Sequence, residues 1–347
     1  MSPKTTPTAA RIAAMCGVSV MTVSRALRPN SPVAPQTRQR ILEAAESLGY
    51  RPALNMGRPR RTETLDRQSV DVILAMATKP LFYSALLVSI EQELTRRWHD
   101  CVIRTCGTDY AQFLTLCEVL RSRDSMGTLV LGYMPVEQLQ ALLDVAPDAI
   151  LVDHTGDSRL TSPYRSIGFD NAEAARLAVR HLLAAGRRRI ALVRGPADHY
   201  FTRDVEQGYR ECLREARVKV REELILDTDF TAAGGARVVA QALADKREFD
   251  AVFTNDEMAC GILRTLHEHK LRVPEDVAVV GCDGLPIGEH LVPRLTTVVL
   301  PYEELGQMAV EQLLDKRGKP GAASRVRLVP RLEVRESSGV TVDTHRR

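Results

Sequence analysis

Between Ser19 and Arg25 the chain reads Ser-Val-Met-Thr-Val-Ser-Arg, side chains suited to meeting a nucleic acid duplex rather than to making or breaking bonds. Arg25 can donate two hydrogen bonds to one guanine edge, Thr22 and Ser24 suit phosphate or base contacts, and Val20 and Met21 can only pack, for instance on thymine methyls. Ser19 is a good helix N-cap, and Val23, Ala26 and Leu27 recur behind it at helical spacing. Val20, Met21, Thr22 and Arg25 then share the outer, N-terminal side of the helix, where base edges are read.

Other groups that could carry chemistry do not assemble into a site. The seven cysteines include no C-x-x-C pair, and Cys101 and Cys106 lie in or beside one strand without partners of zinc-finger type. His267 and His269 point to different faces of a helix, unlike the i, i+4 pair of a zinc protease. No G-x-G-x-x-G and no G-x-x-x-x-G-K-[ST] occurs, so neither an enzyme nor a bound cofactor is expected.

The reading helix needs a scaffold. A first helix follows the cap candidate Thr8, with Ile12, Ala13 and Met15 as its apolar stripe, and ends where Gly17 in Cys16-Gly17-Val18 can take the left-handed conformation. Pro29-Asn30-Ser31-Pro32 forces a loop after the second helix. A third opens at Pro35 and buries Ile41, Leu42, Ala45 and Leu48 before Gly49 stops it. Two short helices across a glycine turn, backed by a third, make a helix-turn-helix. Charge agrees: residues 1–61 hold ten Lys/Arg, Arg28 among them, and two acids, a net +8, while the remaining 37 bases and 42 acids give −5. A basic module of this kind points to a polyanion partner.

At 347 residues the chain exceeds what one core usually serves, and its 44% apolar and 26% charged residues are those of a folded protein. No stretch approaches the ~18 apolar residues of a membrane span, and the polar start lacks a signal-peptide core, so a cytoplasmic location is expected. From Val70 onward β-rich runs alternate with amphipathic helices: VDVILAM, a helix from Ser84 to Arg97, CVIRT, a helix near Phe113 to Arg121, GTLVLG and AILVD. A second series follows: YRSIGFD, a helix from Ala172 to Ala185, RIALV, a helix around Gly208 to Ala216, LILD, a helix from Gly235 to Ala244, AVFTN, a helix from Met258 to His269, and VAVVGCD. Two α/β lobes of similar plan are predicted, with ligands at the carboxyl ends of the strands in the cleft between them.

The N-terminal residues Ala13-Ala14, Gly17-Val18-Ser19, Thr22-Val23-Ser24-Arg25, Val33, Thr37-Arg38, Ile41 and Leu48-Gly49-Tyr50-Arg51-Pro52 resemble the DNA-binding headpiece of the lactose/galactose repressor (LacI/GalR) family. The resemblance continues through Asp170-Asn171, Gly195-Pro196, Gly208-Tyr209, Asn255-Asp256, Val273-Pro274-Glu275-Asp276-Val277, Gly281-Cys282-Asp283 and Pro330-Arg331-Leu332, and so covers nearly the whole chain. It implies a headpiece over 1–52, a hinge over 53–68 and a two-lobed, type I periplasmic-binding-protein-like domain over 69–347. One lobe would be 69–170 with 301–327 and the other 171–300 with 328–347, the chain crossing near Asp170, Pro301 and Leu328. It further implies a homodimer on a near-palindromic operator, with Tyr50 joining the DNA-contacting set.

For the effector cleft the resemblance implies Phe82, Tyr83, Asp153, His199, Phe201, Arg203, Phe230 and Asp283, of which His199 and Phe201 lie in a loop after Gly195-Pro196. Carboxylates there would accept hydrogen bonds from the hydroxyls of a small polar effector such as a sugar or sugar acid. Asp170 and Asp256 have the alternative role of capping the following helices. Two departures from the family pattern stand out. Val205 occupies a position where an arginine is common, so either Arg203 with His199 takes over anion binding, or the ligand is unusual, or the effector response is lost. In the hinge, Pro59 replaces the leucine that wedges into the minor groove; either Leu54 or Met56 inserts and Arg58, Arg60 and Arg61 hold the groove, or the segment is a flexible basic linker. The function expected is that of a ligand-responsive repressor. The alternatives are a binding protein of the same fold without a regulatory role and a transcriptional activator.

Overall fold

The computed structural model describes residues 9–26, 33–48, 68–75, 80–107, 109–122, 125–154, 157, 159–315 and 323–339. Thr8, Leu27, Arg28, Gly49, Tyr50 and the hinge candidates Leu54, Met56, Arg58, Pro59, Arg60 and Arg61 lie outside these residues. The chain divides into two compact units, Met1–Asp66 and Arg67–Arg347.

The first unit contains helices α1 (Ala9–Cys16), α2 (Val20–Ala26) and α3 (Pro35–Ser47). Gly17, at φ 62°, ends α1 in the left-handed conformation, and the Val18 N–H closes back on the Ala13 carbonyl at 3.0 Å. Ser19 Oγ then accepts from the Thr22 N–H at 3.1 Å and starts α2. Ile12, Ala13, Cys16, Val23, Ala26, Ile41, Ala44 and Ala45 form the core, with Val18, Val33 and Leu48 at its edge. Two expected core residues are instead on the surface, Met15 at 56% exposure and Leu42 at 40%. The buried rows run 12, 13, 16 and 41, 44, 45, and each exposed residue falls one position off its row. Two of the basic residues are structural: an Arg38 guanidinium donates to the Ala26 carbonyl at the end of α2, and Arg40 to the Cys16 carbonyl at the end of α1.

The second unit consists of two lobes, each built on a six-stranded sheet. The first sheet has β1 (Ser69–Ala75), β2 (Asp100–Cys106), β3 (Thr128–Gly132), β4 (Ile150–Val152), β5 (Arg165–Phe169) and β11 (Ser324–Leu328), ordered β11-β5-β4-β3-β1-β2. All its pairings are parallel. Alternation along β1 sends Val70 and Val72 into the core shared with helices α4 (Pro80–Arg96) and α11 (Tyr302–Leu314). Ile73 and Ala75 face the core shared with α5 (Tyr110–Ser122) and α6 (Val136–Val145). The charged exception on this inner strand, Asp71, is buried and accepts from Arg104 on the neighbouring edge strand β2 at 2.8 Å.

The second sheet, ordered β12-β10-β9-β8-β6-β7, takes β6 (Ile190–Arg194), β7 (Ile225–Asp227), β8 (Ala251–Phe253), β9 (Ala278–Asp283), β10 (Thr296–Val299) and β12 (Arg331–Glu333). It is parallel except where β10 meets β12. Helices α7 (Asn171–Ala184), α8 (Tyr200–Glu215), α9 (Ala232–Ala244) and α10 (Asp256–Glu268) flank it. The chain changes lobe between β5 and α7, between β10 and α11, and between β11 and β12. Two helices start four or more residues before the position the periodicity gives. Helix α4 opens at Pro80 rather than Ser84, and α8 opens at Tyr200 rather than near Gly208. Each displaced start moves aromatic residues onto the first turn of a helix that faces the cleft.

Candidate nucleic-acid interface and effector cleft

On α2 the outer side carries Val20 at 49% exposure, Met21 at 64% and an exposed Arg25, while Val23 and Ala26 are buried. Ser24 lies within the same helix. Thr22 is only half-exposed, and its hydroxyl is 2.8 Å from Ser19 Oγ, so both hydroxyls belong to the cap as well as to the face. Val20 and Met21 at the start of this short helix and Arg25 in its last turn thus present two apolar side chains and a guanidinium together, a face shaped for the major groove.

The cleft is built from loops at the carboxyl ends of strands. Three of its expected residues sit there with positive φ, Asp153 after β4 at 56°, Phe230 beyond β7 at 68° and Asp283 at the end of β9 at 123°. For residues with a Cβ such backbone costs on the order of 1–3 kcal/mol each and persists only where the surroundings over-determine it. Phe230 shows how it is held: its ring lies so close to Gly195 that a Cβ there would come within 2.0 Å of the ring. Gly195 is therefore required by packing against the ring, in the loop that leads into α8.

His199 is not a loop residue, as the sequence reading expects, but the N-cap of α8, and Phe201 lies within that helix. The His199 Nδ1 accepts from the Phe201 N–H at 3.2 Å, which places the imidazole proton on Nε2. Its ring lies 4.5 Å from Tyr200, 5.1 Å from Tyr133 and 5.0 Å from Phe230, and Phe201 meets Phe230 at 5.9 Å. Tyr200 reaches across to the first lobe and donates to Asp153 Oδ2 at 2.8 Å, with both side chains buried. Burial, reinforced by the Asp153 charge, raises the Tyr200 phenol and that of Tyr83 well above their ordinary range. Both therefore stay protonated.

The remaining expected residues are placed less uniformly. Phe82 packs edge-on to Tyr83, Phe169 and Tyr302 at 5.0, 6.4 and 5.6 Å, within the core of the first lobe. Asp283 is 1% exposed, and its carbonyl accepts from the Tyr302 hydroxyl at 3.0 Å. Arg203 is exposed on α8, by a recess at the cleft mouth lined also by Tyr133, His154, Asp157, Arg159 and Asp198. Val205 is buried in the core of the second lobe. Asp170 caps α7 through the Glu173 N–H at 2.9 Å. Asn255, rather than Asp256, caps α10. Asp256 instead accepts from Thr297 Oγ1 and the Leu285 N–H, each at 2.6 Å, while burial lifts its carboxyl to about 6. Burial likewise pushes the His154 imidazole down to about 4, and its ring lies 5.0 Å from Tyr200.

Tyr133, His154, Tyr200 and Tyr302 belong to the arrangement but escape the sequence reading. For Tyr200 the signal was present: it sits between His199 and Phe201, and only the unusual histidine cap hid the helix start that turns it toward Asp153. Among the described residues no group of three or more His, Cys, Asp or Glu could hold a metal ion, and no helix is long and apolar enough to cross a membrane.

Residues 10–53 match the model of bacterial regulatory proteins of the lacI family, and residues 179–338 that of the periplasmic binding protein-like domain. Over 344 residues the chain is 32% identical to the HTH-type transcriptional regulator CelR of Thermobifida fusca, covering 97% of this chain and all of that protein. It is 28% identical over 334 residues to the ribose operon repressor of Escherichia coli K12, covering 94% and 98%. Among solved structures it resembles the CelR–cellobiose complex, with a TM-score of 0.72, 30% identity and coverage of 95% of this chain and 99% of that one. The lac repressor dimer bound to operator and the anti-inducer ONPF shares the fold, with a TM-score of 0.69 at 24% identity and coverage of 96% and 99%. With a reading helix, a two-lobed body and relatives matched end to end, the chain belongs to the LacI family of bacterial transcriptional regulators.

Proposed function

We propose that the protein is a cytoplasmic repressor that binds a near-palindromic operator as a homodimer and answers to a small, neutral, hydroxyl-rich effector. Val20, Met21, Thr22, Ser24 and Arg25 read bases, and Tyr83, Asp153, His199, Phe201, Phe230 and Asp283 form the effector site. The observation that carries the effector reading is the pairing of strand-end carboxylates from both lobes, Asp153 and Asp283, with the rings of Tyr83, His199 and Phe230. Carboxylates accept from sugar hydroxyls, and ring faces take the apolar faces of sugars. A neutral ligand is favoured over a sugar acid because Val205 is a core residue and Arg203 stands exposed at the mouth. The cellobiose held by CelR supports the same class. Selection of bound fragments from random duplex DNA tests the regulatory half: two inverted half-sites are expected, and an unordered pool would contradict it. Calorimetry with cellobiose and with a sugar acid tests the other half, with binding expected only of the neutral saccharide.

A further inference from the structure

The lobes are joined across the cleft by side chains of the protein itself. Tyr200, on the first turn of α8 in the second lobe, donates to Asp153 at the end of β4 in the first. His154 of the first lobe lies against the Tyr200 ring at 5.0 Å. Nearer the mouth, Tyr133 of the first lobe stacks on His199 and donates to Asp198 at 3.2 Å, both in the second lobe. A buried phenol–carboxylate bond with rings on either side is the geometry by which a polar ligand would itself be held.

We propose that Tyr200 stands in for an effector hydroxyl: its bond to Asp153 holds the lobes closed, and the effector acts by taking its place on that carboxylate. This rests on the reading of the cleft as the site of a hydroxyl-bearing ligand and assigns Tyr200 as the residue that sets its selectivity. A ligand must offer a donor that outcompetes a pre-positioned phenol, so saccharides with a hydroxyl able to reach Asp153 succeed where the corresponding deoxy sugars fail. A charge-assisted hydrogen bond of this kind is commonly worth a tenfold or larger factor in an equilibrium.

The test uses the full-length protein and Tyr200→Phe, which keeps the ring against His154 and His199 and removes the donor. Amide hydrogen exchange without ligand should quicken by about tenfold or more in residues 150–154 and 199–203, while the distant strand β7 is unchanged. Affinity for cellobiose should rise by a similar factor, a gain that loss of a merely structural contact would not produce. Asp153→Asn, which retains an acceptor for Tyr200, should quicken exchange less than Tyr200→Phe and keeps the test open if the latter does not fold. Unchanged exchange in both variants overturns the clasp. Faster exchange with no rise in cellobiose affinity overturns the competition. Faster exchange with no saccharide bound by either protein upholds the clasp and overturns the effector reading instead.

Discussion

The reading helix and the effector cleft handle their polar groups in opposite ways. On α2 the apolar side chains proposed to meet DNA stand in solvent, with Met21 64% exposed and Val20 49%. In the cleft, Asp153, His199 and Phe230 are at most 5% exposed and already contact other side chains of the protein. The first site is a face that a rigid small core displays. The second is a set of strand ends drawn together from two lobes, where the proposed ligand would replace contacts the protein makes with itself. A surface of the first kind responds to salt and to sequence. One of the second kind responds to competition, and to pH through the groups it buries.

Four perturbations separate the two behaviours. The largest effect is expected from deleting residues 1–61, which removes the +8 module: operator retardation should be lost altogether while cellobiose binding persists. A truncated protein that still retards operator DNA would place the affinity elsewhere. Next comes Ile12→Ala, which hollows a core of eight buried residues and should cost about 2–5 kcal/mol, enough to unfold the headpiece. Two thermal transitions, the lower one missing in the variant, would confirm it, and an unchanged lower transition would not. The third concerns pH. Burial holds His154 at about 4, whereas the unfolded side chain titrates near 6.5. Between those values the unfolded chain binds a proton that the folded lobe excludes. Stability therefore rises with pH across the window and is lost as pH falls from about 6.5 toward 4, by on the order of 3 kcal/mol. His154→Phe should flatten that slope in thermal melts of the two-lobed body, and coincident profiles would remove the assignment. Smallest is Arg25→Ala, about 1–3 kcal/mol at one base position if its contact is bidentate. Arg40→Ala makes a useful contrast, because Arg40 holds the Cys16 carbonyl and should lower headpiece stability rather than relax base preference.

The same contrast explains what could be read from the chain. The headpiece was legible because its signals are local: Gly17 ends one helix, Ser19 caps the next, and among the described residues only Met15 and Leu42 were assigned to the wrong side of their rows. The apolar runs of the two sheets were equally plain, as parallel strands buried on both faces must be. Helix α6 was not read, because it follows Pro135 with no side-chain cap to announce it. Helix α8 was read eight residues late because a histidine caps it, and the bond between Tyr200 and Asp153 went with it. That bond joins residues 47 apart in the sequence, and no spacing rule reports it.

Coupling between the cleft and the headpiece is the central claim, and linkage makes it measurable from both sides. Cellobiose affinity is measured by calorimetry on the full-length protein alone and again on its operator complex, and operator affinity is measured with and without saturating cellobiose. The two ratios must agree if one equilibrium between lobe arrangements connects the sites, and a factor of about 5–150 is expected. Binding of cellobiose with the same affinity whether or not operator is present would contradict the account, leaving a saccharide-binding body that does not speak to its DNA-binding helices.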